Sequence, residues 1–356
     1  MGEGRAVKSM TENGVAQPLR EKELCPEELL DGQEAAFARD IERLQARRGE
    51  FVDVPCPACS AKTAPTVFEK YSFSYRGCPE CRTLFMSPRP SPQIMAAYYA
   101  DSENYRYWAE HIFPASEEAR REKIHRPWLD RVISYCERYA IPAGALLEVG
   151  PGFGTFAALA NASGRFSRVL AVEPTPQMAA ACRARGIEVF ERRIEEIETK
   201  FETVSVAVAF EVIEHLFEPG AFLKSMAARL ARGGLLILSC PNGLGFDIAM
   251  LGAQSLAVDA EHVNLFNPDA LTRLVESCGF EVLEVCTPGR LDAEFVREAV
   301  LAGLFSLDGN PFLQRVLIDE WDRLGINFQA FLAANSLSSH MWLAARKRGC
   351  DGFRAE

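Results

Sequence analysis

The sequence lacks the signals of a membrane protein. It has no uninterrupted apolar run of 18 residues, the length that a membrane-spanning helix needs. Its first residues, MGEGRAVKSMTENG, contain no apolar signal segment, and Ala6 stands where a myristoylation pattern has Ser or Thr. We therefore expect no contact with a membrane and a cytoplasmic location.

An excess of positive charge is also lacking. The chain has 39 Lys and Arg against 49 Asp and Glu, a net charge of −10. A polyanion would be repelled by the molecule as a whole. The charge balance disfavours nucleic acid as a partner and favours a small molecule.

The cysteines do not form a disulfide framework. Their number, 11, is odd, and seven stand singly in apparently regular structure. The other four form the pattern C-x2-C-x18-C-x2-C, a spacing that allows two knuckles to close a tetrahedral S4 site. The sequence predicts a structural zinc ion here, with four free thiols or a redox CxxC as the alternative. The predicted ligands are Cys56, Cys59, Cys78 and Cys81.

The composition changes along the chain and predicts several units. Asp31 to Arg48 has the apolar spacing of an amphipathic helix, and FEKYSFSYRG suits a hairpin. Ser116, followed by two acids, is interpreted as the N-terminus of a helix that runs through Arg131. The predicted units are a tail and helix (1–52), a separate zinc ribbon (53–92), a helical cap or linker (93–140) and an α/β domain (141–350) with a helical insertion (289–337).

From residue 144 onward, apolar runs of strand length alternate with helical stretches. This rhythm is typical of a parallel sheet covered by helices on both faces. The predicted strands are 145–149, 168–172, 187–190, 204–210, 234–239, 280–286 and 340–348.

A glycine turn follows the first of these strands. Gly150, Gly152 and Gly154 allow a sharp turn and let backbone amides approach a ligand. No glycine completes a dinucleotide G-x-G-x-x-G pattern, which weakens an interpretation as an NAD site. Glu148 lies at the end of this apolar strand, and Glu173 ends the second strand, where an acid can accept hydrogen bonds from ribose hydroxyls.

The turn LLEVGPGFGTF, the acid at Glu173 and the segment FEVIEHLFEP after the fourth strand together resemble class I S-adenosylmethionine-dependent methyltransferases. The resemblance covers roughly residues 143–286 and the last strand. It implies a Rossmann-like sheet of seven strands with the last one antiparallel. It also implies S-adenosylmethionine as cofactor, with its methionine part near Gly150 and Gly152 and its ribose on Glu173.

The resemblance implies further cofactor residues. Ile194 and Glu195 would flank the adenine, Phe210 and Glu211 would close the site at the end of the fourth strand, and Glu148 and Gly154 complete the set. A zinc ribbon ahead of such a core is similar to methyltransferases of surface-polysaccharide and other small-molecule biosynthesis. Zinc-ribbon enzymes that methylate ribosomal RNA share the same order.

His262 is the candidate catalytic base. It lies in DAEHVNLFNP after the fifth strand, at the sheet edge where ligands bind, and its neighbours Asp259, Glu261 and Asn264 are near enough in sequence to orient it. The alternative is a histidine that bonds a loop carbonyl and shapes the pocket. His215 is interpreted as structural or cofactor-side, and His340 as packing.

Three functions stay open on the sequence. Methyl transfer to a small-molecule acceptor, such as a sugar or glycan precursor, is favoured, with oxygen slightly preferred. An RNA methyltransferase guided by the ribbon would use Arg76, Arg82 and Arg89. A non-catalytic scaffold is the third. The insertion would form a lid over the acceptor or the face of a homodimer.

Overall fold

A computed structural model describes residues 21–197 and 202–349. The predictions that concern the first twenty residues and Cys350 lie outside the described residues. The strands form two sheets, one of four strands and one of seven. They are β1 (Thr66–Lys70), β2 (Phe73–Gly77), β3 (Leu84–Met86), β4 (Leu146–Val149), β5 (Val169–Val172), β6 (Glu188–Phe190), β7 (Val204–Phe210), β8 (Leu230–Pro241), β9 (Asn264–Leu265), β10 (Phe280–Cys286) and β11 (His340–Lys347).

The large sheet has the order β10-β11-β8-β7-β4-β5-β6. Strand β4 lies parallel to both β5 and β7, whereas β11 lies antiparallel to β8 and β10. The prediction of a seven-stranded α/β sheet with an antiparallel last strand is confirmed. The chain leaves β4 for β5 on one side and returns to β7 on the other, so the topological switch point, where such sheets bind ligands, is at β4.

Helices cover both faces of this sheet. One apolar core lies under the helices 219–229 (α9) and 268–277 (α11). The other lies under the helices 126–138 (α6), 155–162 (α7) and 176–184 (α8). All four residues of β4 are buried, because both faces of the strand are covered. The α-helices are α1 (Glu21–Leu24), α2 (Glu27–Ala46), α3 (Pro92–Asp101), α4 (Glu103–Tyr107), α5 (Phe113–Arg120), α6 (Arg126–Arg138), α7 (Thr155–Ala162), α8 (Pro176–Ala184), α9 (Pro219–Arg229), α10 (Phe246–Leu251), α11 (Pro268–Ser277), α12 (Asp292–Leu301), α13 (Pro311–Gln314) and α14 (Trp321–Ala334).

The helical arm runs without a break from α4 to α6. Two π turns, Trp108–Ile112 and Arg121–His125, join the three α-helical pieces. Each π turn comes just before a proline, Pro114 or Pro127, which lacks the amide that an α-helix would bond. The prediction of a helix start at Ser116 is wrong. Its hydroxyl donates to the carbonyl of Ile112 inside the helix, at 2.8 Å.

The ribbon is not separate from the large domain. Strands β1 and β2 form the predicted hairpin, and β3 then pairs with β9, which belongs to the loop before α11. The amide of Met86 also donates to the carbonyl of Val263, at 3.0 Å. The short strand β9 was not predicted, and it joins the ribbon to the large domain.

The insertion before the last strand is helical, as predicted, and carries α12, α13 and α14. Several of its large apolar side chains are exposed, among them Ile326 at 78% and Leu304 at 66%. The lid and the dimer face both stay predictions for this segment, and so do the predicted domain boundaries. Among the helices of the described residues, none is both long and apolar enough to cross a membrane.

Candidate functional site

The glycine turn lies between β4 and α7, at the switch point of the sheet. All three glycines have positive φ, from 54° to 77°. A Cβ on Gly150 would lie 2.6 Å from Val212, and one on Gly154 would lie 2.8 Å from the sulfur of Cys182. At Gly152, by contrast, no atom other than those of its chain neighbours lies within 4 Å of the position that a Cβ would take. Two of the glycines therefore permit close packing, and the third faces open space.

Two buried acids stand beside this turn. Glu148 is 3% exposed and Glu173 is 4% exposed. Burial raises the pKa of Glu148 to about 8, against the opposing effect of the amide of Ala157. Burial also raises the pKa of Glu173, although the amides of Thr175 and Gly152 favour its charged form. One oxygen of Glu148, Oε2, has no hydrogen-bond partner among the described residues.

The other predicted cofactor residues lie at the same edge of the sheet. Ile194 is buried and Glu195 is exposed, in a short turn after β6. Phe210 ends β7 and its ring lies 4.8 Å from the rings of both Trp128 and Phe156. Glu211 follows with a φ of 54°, a strained conformation for a residue with a Cβ.

The helical arm covers this edge. The ring of Phe113 stacks on Phe153 of the glycine turn, with 3.9 Å between the ring centroids. Glu117 on the arm pairs with Arg185 after α8, at 2.6 Å. The arm thus encloses one side of the space in front of Gly152.

Residues 118–285 match the family model of a methyltransferase domain. This segment contains the glycine turn, both buried acids and the strands β4 to β10. It begins within the helical arm, so the match includes part of the arm as well as most of the sheet.

Curated relatives match part of the chain. The chain is 32% identical over 143 residues to a probable S-adenosylmethionine-dependent methyltransferase of Mycobacterium tuberculosis (strain CDC 1551 / Oshkosh), across 40% of this chain and 50% of that protein. It is 30% identical over 117 residues to a ubiquinone biosynthesis O-methyltransferase of Bradyrhizobium diazoefficiens, across 31% and 45%. The chain thus spans about half the length, or less, of these relatives.

Among solved structures, an S-adenosylmethionine-dependent methyltransferase from Clostridium acetobutylicum aligns with 69% of this chain and 99% of its own. The sequence identity is 10% and the TM-score is 0.46.

His262 lies within the matched residues, beside a second group of polar side chains. Its Nδ1 lies 2.9 Å from the carbonyl of Ala257 and 3.6 Å from Asp259. A carbonyl can only accept, so Nδ1 carries a hydrogen and the neutral ring has its lone pair on Nε2. The predicted alternative, a bond to a loop carbonyl, is therefore present, and it leaves the other nitrogen available. Asn264 does not orient the ring, since it bonds Arg89 and the carbonyls of Ile213 and Leu216.

Glu214 and His215 face His262 across this space. A carboxylate oxygen of Glu214 and a ring nitrogen of each histidine lie within 4.8 Å of one another. Burial raises the pKa of Glu214 well above its usual value and, with the nearby His262, lowers that of His215 to about 3. Both oxygens of Glu214 and Nδ1 of His215 are buried without a partner among the described residues.

His340 has a polar contact that the sequence did not predict. Its Nε2 lies 3.0 Å from Oε1 of Glu211, which also accepts a bond from the hydroxyl of Ser239 at 2.6 Å. Burial raises the pKa of Glu211, but His340 and Ser239 outweigh that effect and the net shift is downward. The sequence offered one indication of this contact: His340 begins β11, and the start of β11 lies next to the end of β8.

The four predicted zinc ligands lie together. The sulfur atoms of Cys56 and Cys81 are 3.5 Å apart, as are those of Cys59 and Cys78, and all four lie within 4.8 Å of one another. Tetrahedral Zn–S bonds of about 2.3 Å place sulfur atoms about 3.8 Å apart, so the set fits zinc. The two knuckles repeat one geometry, in which the fourth residue after the first cysteine has a φ near 60° and donates to its carbonyl. These residues are Ser60 (64°) and Arg82 (60°).

Proposed function

We propose that this protein transfers a methyl group from S-adenosylmethionine to a small hydroxyl-bearing molecule. Support for the cofactor comes first from the open space at Gly152, which two buried acids border inside a methyltransferase-domain region. An acid with an unpartnered buried oxygen needs a hydrogen-bond donor. The amino group and ribose hydroxyls of the cofactor are such donors.

In this proposal three of the predicted cofactor residues contact separate parts of the cofactor. The backbone at Gly152 lies against the methionine part, Glu173 accepts from the ribose, and Ile194 lies against the adenine. The bound cofactor supplies an activated methyl group on a sulfonium. The chain itself must align the acceptor with that group and exclude water.

The nature of the acceptor follows from the atoms around His262. Both oxygens of Glu214 and Nδ1 of His215 are buried without a partner among the described residues, and they lie beside the ring of His262. A ligand rich in hydroxyl groups satisfies such a set, whereas an apolar ligand leaves it unpaired at a cost of about 1–3 kcal/mol per group. This supports a polyhydroxylated acceptor, such as a sugar or glycan precursor, and transfer to oxygen.

His262 is the base in this proposal. As the new bond forms between the acceptor oxygen and the methyl carbon, the bond from that carbon to sulfur breaks, and the hydroxyl proton passes to Nε2 of His262. Asp259 and the carbonyl of Ala257 hold the other side of the ring and stabilise the imidazolium. Burial opposes that charge, but Asp259, the carbonyl of Ala257, Glu261 and Glu211 together outweigh it, and the pKa of His262 is raised.

We also propose a structural zinc ion at Cys56, Cys59, Cys78 and Cys81. Four sulfur ligands fill a tetrahedral site and leave no position for a substrate. The ion would hold the ribbon in the shape in which β3 pairs with β9, and β9 begins two residues after His262.

Calorimetry with S-adenosylhomocysteine, the reaction product, tests the proposal. We expect one binding site in the wild type and an affinity at least about tenfold lower in Glu173→Ala, since the ribose loses its acceptor. Glu281→Ala, an exposed acid in β10 at the far edge of the large sheet, is the matched control and should bind as the wild type does. A wild type that binds neither S-adenosylmethionine nor its product would overturn the proposal and favour the non-catalytic scaffold.

A further inference from the structure

Glu261 is a buried carboxylate directly beside the candidate base. It is 6% exposed, and each of its oxygens accepts one tyrosine hydroxyl at 2.7 Å. The donors, Tyr98 and Tyr105, come from α3 and the helical arm, more than 150 positions earlier in the chain. We call the three residues Tyr98, Tyr105 and Glu261 the tyrosine clamp.

Neutral hydroxyls hold this carboxylate without cancelling its charge. A buried charge is costly, and a glutamine would accept and donate hydrogen bonds at the same place without that cost. Burial and the nearby Asp259 raise the pKa of Glu261 to about 7, whereas the two hydroxyls and His262 act in the opposite direction. A carboxylate that the protein retains there has an electrostatic effect on its neighbours in addition to fixing the loop.

The negative charge of Glu261 favours the protonated form of the neighbouring His262 imidazole. Asp259, Glu261 and Glu211 all favour a proton on His262, whereas burial opposes it. His215 faces the same ring, and burial together with the nearby His262 lowers the pKa of His215 to about 3, so His215 is the neutral member of the pair. Lys70 and Tyr99 face Asp259 from the ribbon and from α3, and Glu214 faces Asp259 and Glu211 from the sheet edge.

The loop that carries His262 is also held by contacts that do not involve the side chain of Glu261. The hydroxyl of Tyr75 in β2 donates to the carbonyls of Asp259 and His262, the second at 3.0 Å. Oδ1 of Asp259 accepts the amides of Glu261 and His262, at 2.8 and 2.7 Å. The loop position therefore does not depend on a charge at residue 261, and the role of that charge can be tested separately.

We propose that Glu261 is a positioning residue, held by Tyr98 and Tyr105, whose negative charge stabilises the His262 imidazolium that forms when the acceptor gives up its proton. This inference rests on the proposed function for its purpose. The coupling that it predicts between Glu261 and His262 needs no acceptor, so it can be measured in the free protein.

Proton NMR of the histidine rings provides the test, because the chain has only five histidines and His262→Gln assigns the signal of His262. In Glu261→Gln we expect the pKa of His262 to fall by about one unit, since an adjacent negative charge is lost. Tyr98→Phe and Tyr105→Phe should lower it by less, because each leaves one carboxylate oxygen without a donor and favours the protonated acid. Tyr107→Phe, on the same arm but outside the clamp, should leave it unchanged.

Unchanged titration of His262 in a folded Glu261→Gln variant would overturn the proposal and leave the clamp with a purely structural role. Should that variant fail to fold, the two tyrosine variants decide in the same way. S-adenosylhomocysteine affinity is measured in parallel and should stay constant across the clamp variants. A wild type without cofactor binding but with the expected His262 shifts would refute the proposed function alone.

Discussion

At the scale of single residues, Gly152 combines a left-handed backbone with open space. A methyl group there meets no protein atom within 4 Å, but it would enter the volume that we assign to the cofactor. Gly152→Ala should cost about 1 kcal/mol of stability through its positive φ. It should also weaken S-adenosylhomocysteine binding by more than about tenfold, measured by calorimetry.

Gly186 provides the control for that substitution. It has a φ of 78° and likewise no atom within 4 Å of its Cβ position, but it lies in the turn after α8. Gly186→Ala should therefore lose similar stability and keep full cofactor affinity. Equal affinities of Gly152→Ala and the wild type would place the cofactor elsewhere.

Glu148 should make the cofactor-free protein less stable as the pH rises. Its pKa is about 8 in the folded chain against 4.5 as the ordinary value, so between these values the folded state holds a proton that the unfolded state has lost. Its contribution is most favourable below the lower value and decreases until the pH passes the upper one.

Glu148→Gln removes this dependence. Above about pH 8 the variant should exceed the wild type in free energy of unfolding by about 1 kcal/mol or more, and the advantage should shrink toward acid pH. Urea unfolding at several pH values, without cofactor, measures both proteins. A constant difference across the pH range would show that Glu148 keeps an ordinary pKa.

At the scale of elements, the two zinc knuckles connect the N-terminal part of the chain to the edge of the large sheet. The side chain of Asn267, at the start of α11, donates to the carbonyl of Cys81 at 2.8 Å, next to the β3–β9 pair. Loss of the ion should therefore loosen both the ribbon and the loop that carries His262.

Cys78→Ser tests this connection. Metal analysis should find about one zinc per chain in the wild type and little in the variant, and the variant should lose roughly 4 kcal/mol of stability or more. Cys286→Ser, a half-buried thiol outside the cluster, is the matched control. A metal-free wild type with the stability of the zinc-loaded protein would refute the zinc site.

The helical arm shows where local sequence signals fail. Ser116 followed by Glu117 and Glu118 has the composition of a helix start, yet the helix passes through it because the arm packs along its length and π turns absorb the prolines. By contrast, VSVAVAF was predictable as β7, since a strand covered on both faces is a continuous apolar run. Packing overrides local preference where the two differ.

At the scale of the whole molecule, the net charge of −10 disfavours RNA as substrate, and the structure shows how the candidate arginines are used. Arg89 is 2% exposed and donates to Asn264 and to the carbonyl of Phe217. Arg76 and Arg82 pair with Asp53 and Asp269. All three therefore have partners within the chain.

Arg89→Ala should accordingly act on stability and not on nucleic acid. We expect a loss of about 3 kcal/mol, because buried acceptors lose a charged donor, and less than about 0.5 kcal/mol for exposed Arg82→Ala. In a filter-binding assay, we expect no salt-sensitive RNA binding by either variant or by the wild type. Salt-sensitive RNA binding by the wild type that is weaker in Arg82→Ala would favour the alternative function, an RNA methyltransferase.

The predictability of the site also depends on distance along the chain. Glu148, Glu173 and the glycine turn were predictable because each stands at a strand end, within one local motif. The clamp of Glu261 by Tyr98 and Tyr105 was not, since its members are far apart in sequence and meet only through the arm. The same holds for His340 and Glu211, which the antiparallel pairing of β11 with β8 brings together.

The pairing of β3 with β9 has a consequence for synthesis. Residues 84–86 leave the ribosome long before residues 264–265, which complete their sheet. At about 5–20 residues per second, the edge of β3 stays unpaired for roughly ten seconds or more. An exposed strand edge invites association with other chains. We therefore expect the yield to depend on protection of this edge during that interval, by a chaperone or by early binding of the proposed zinc ion.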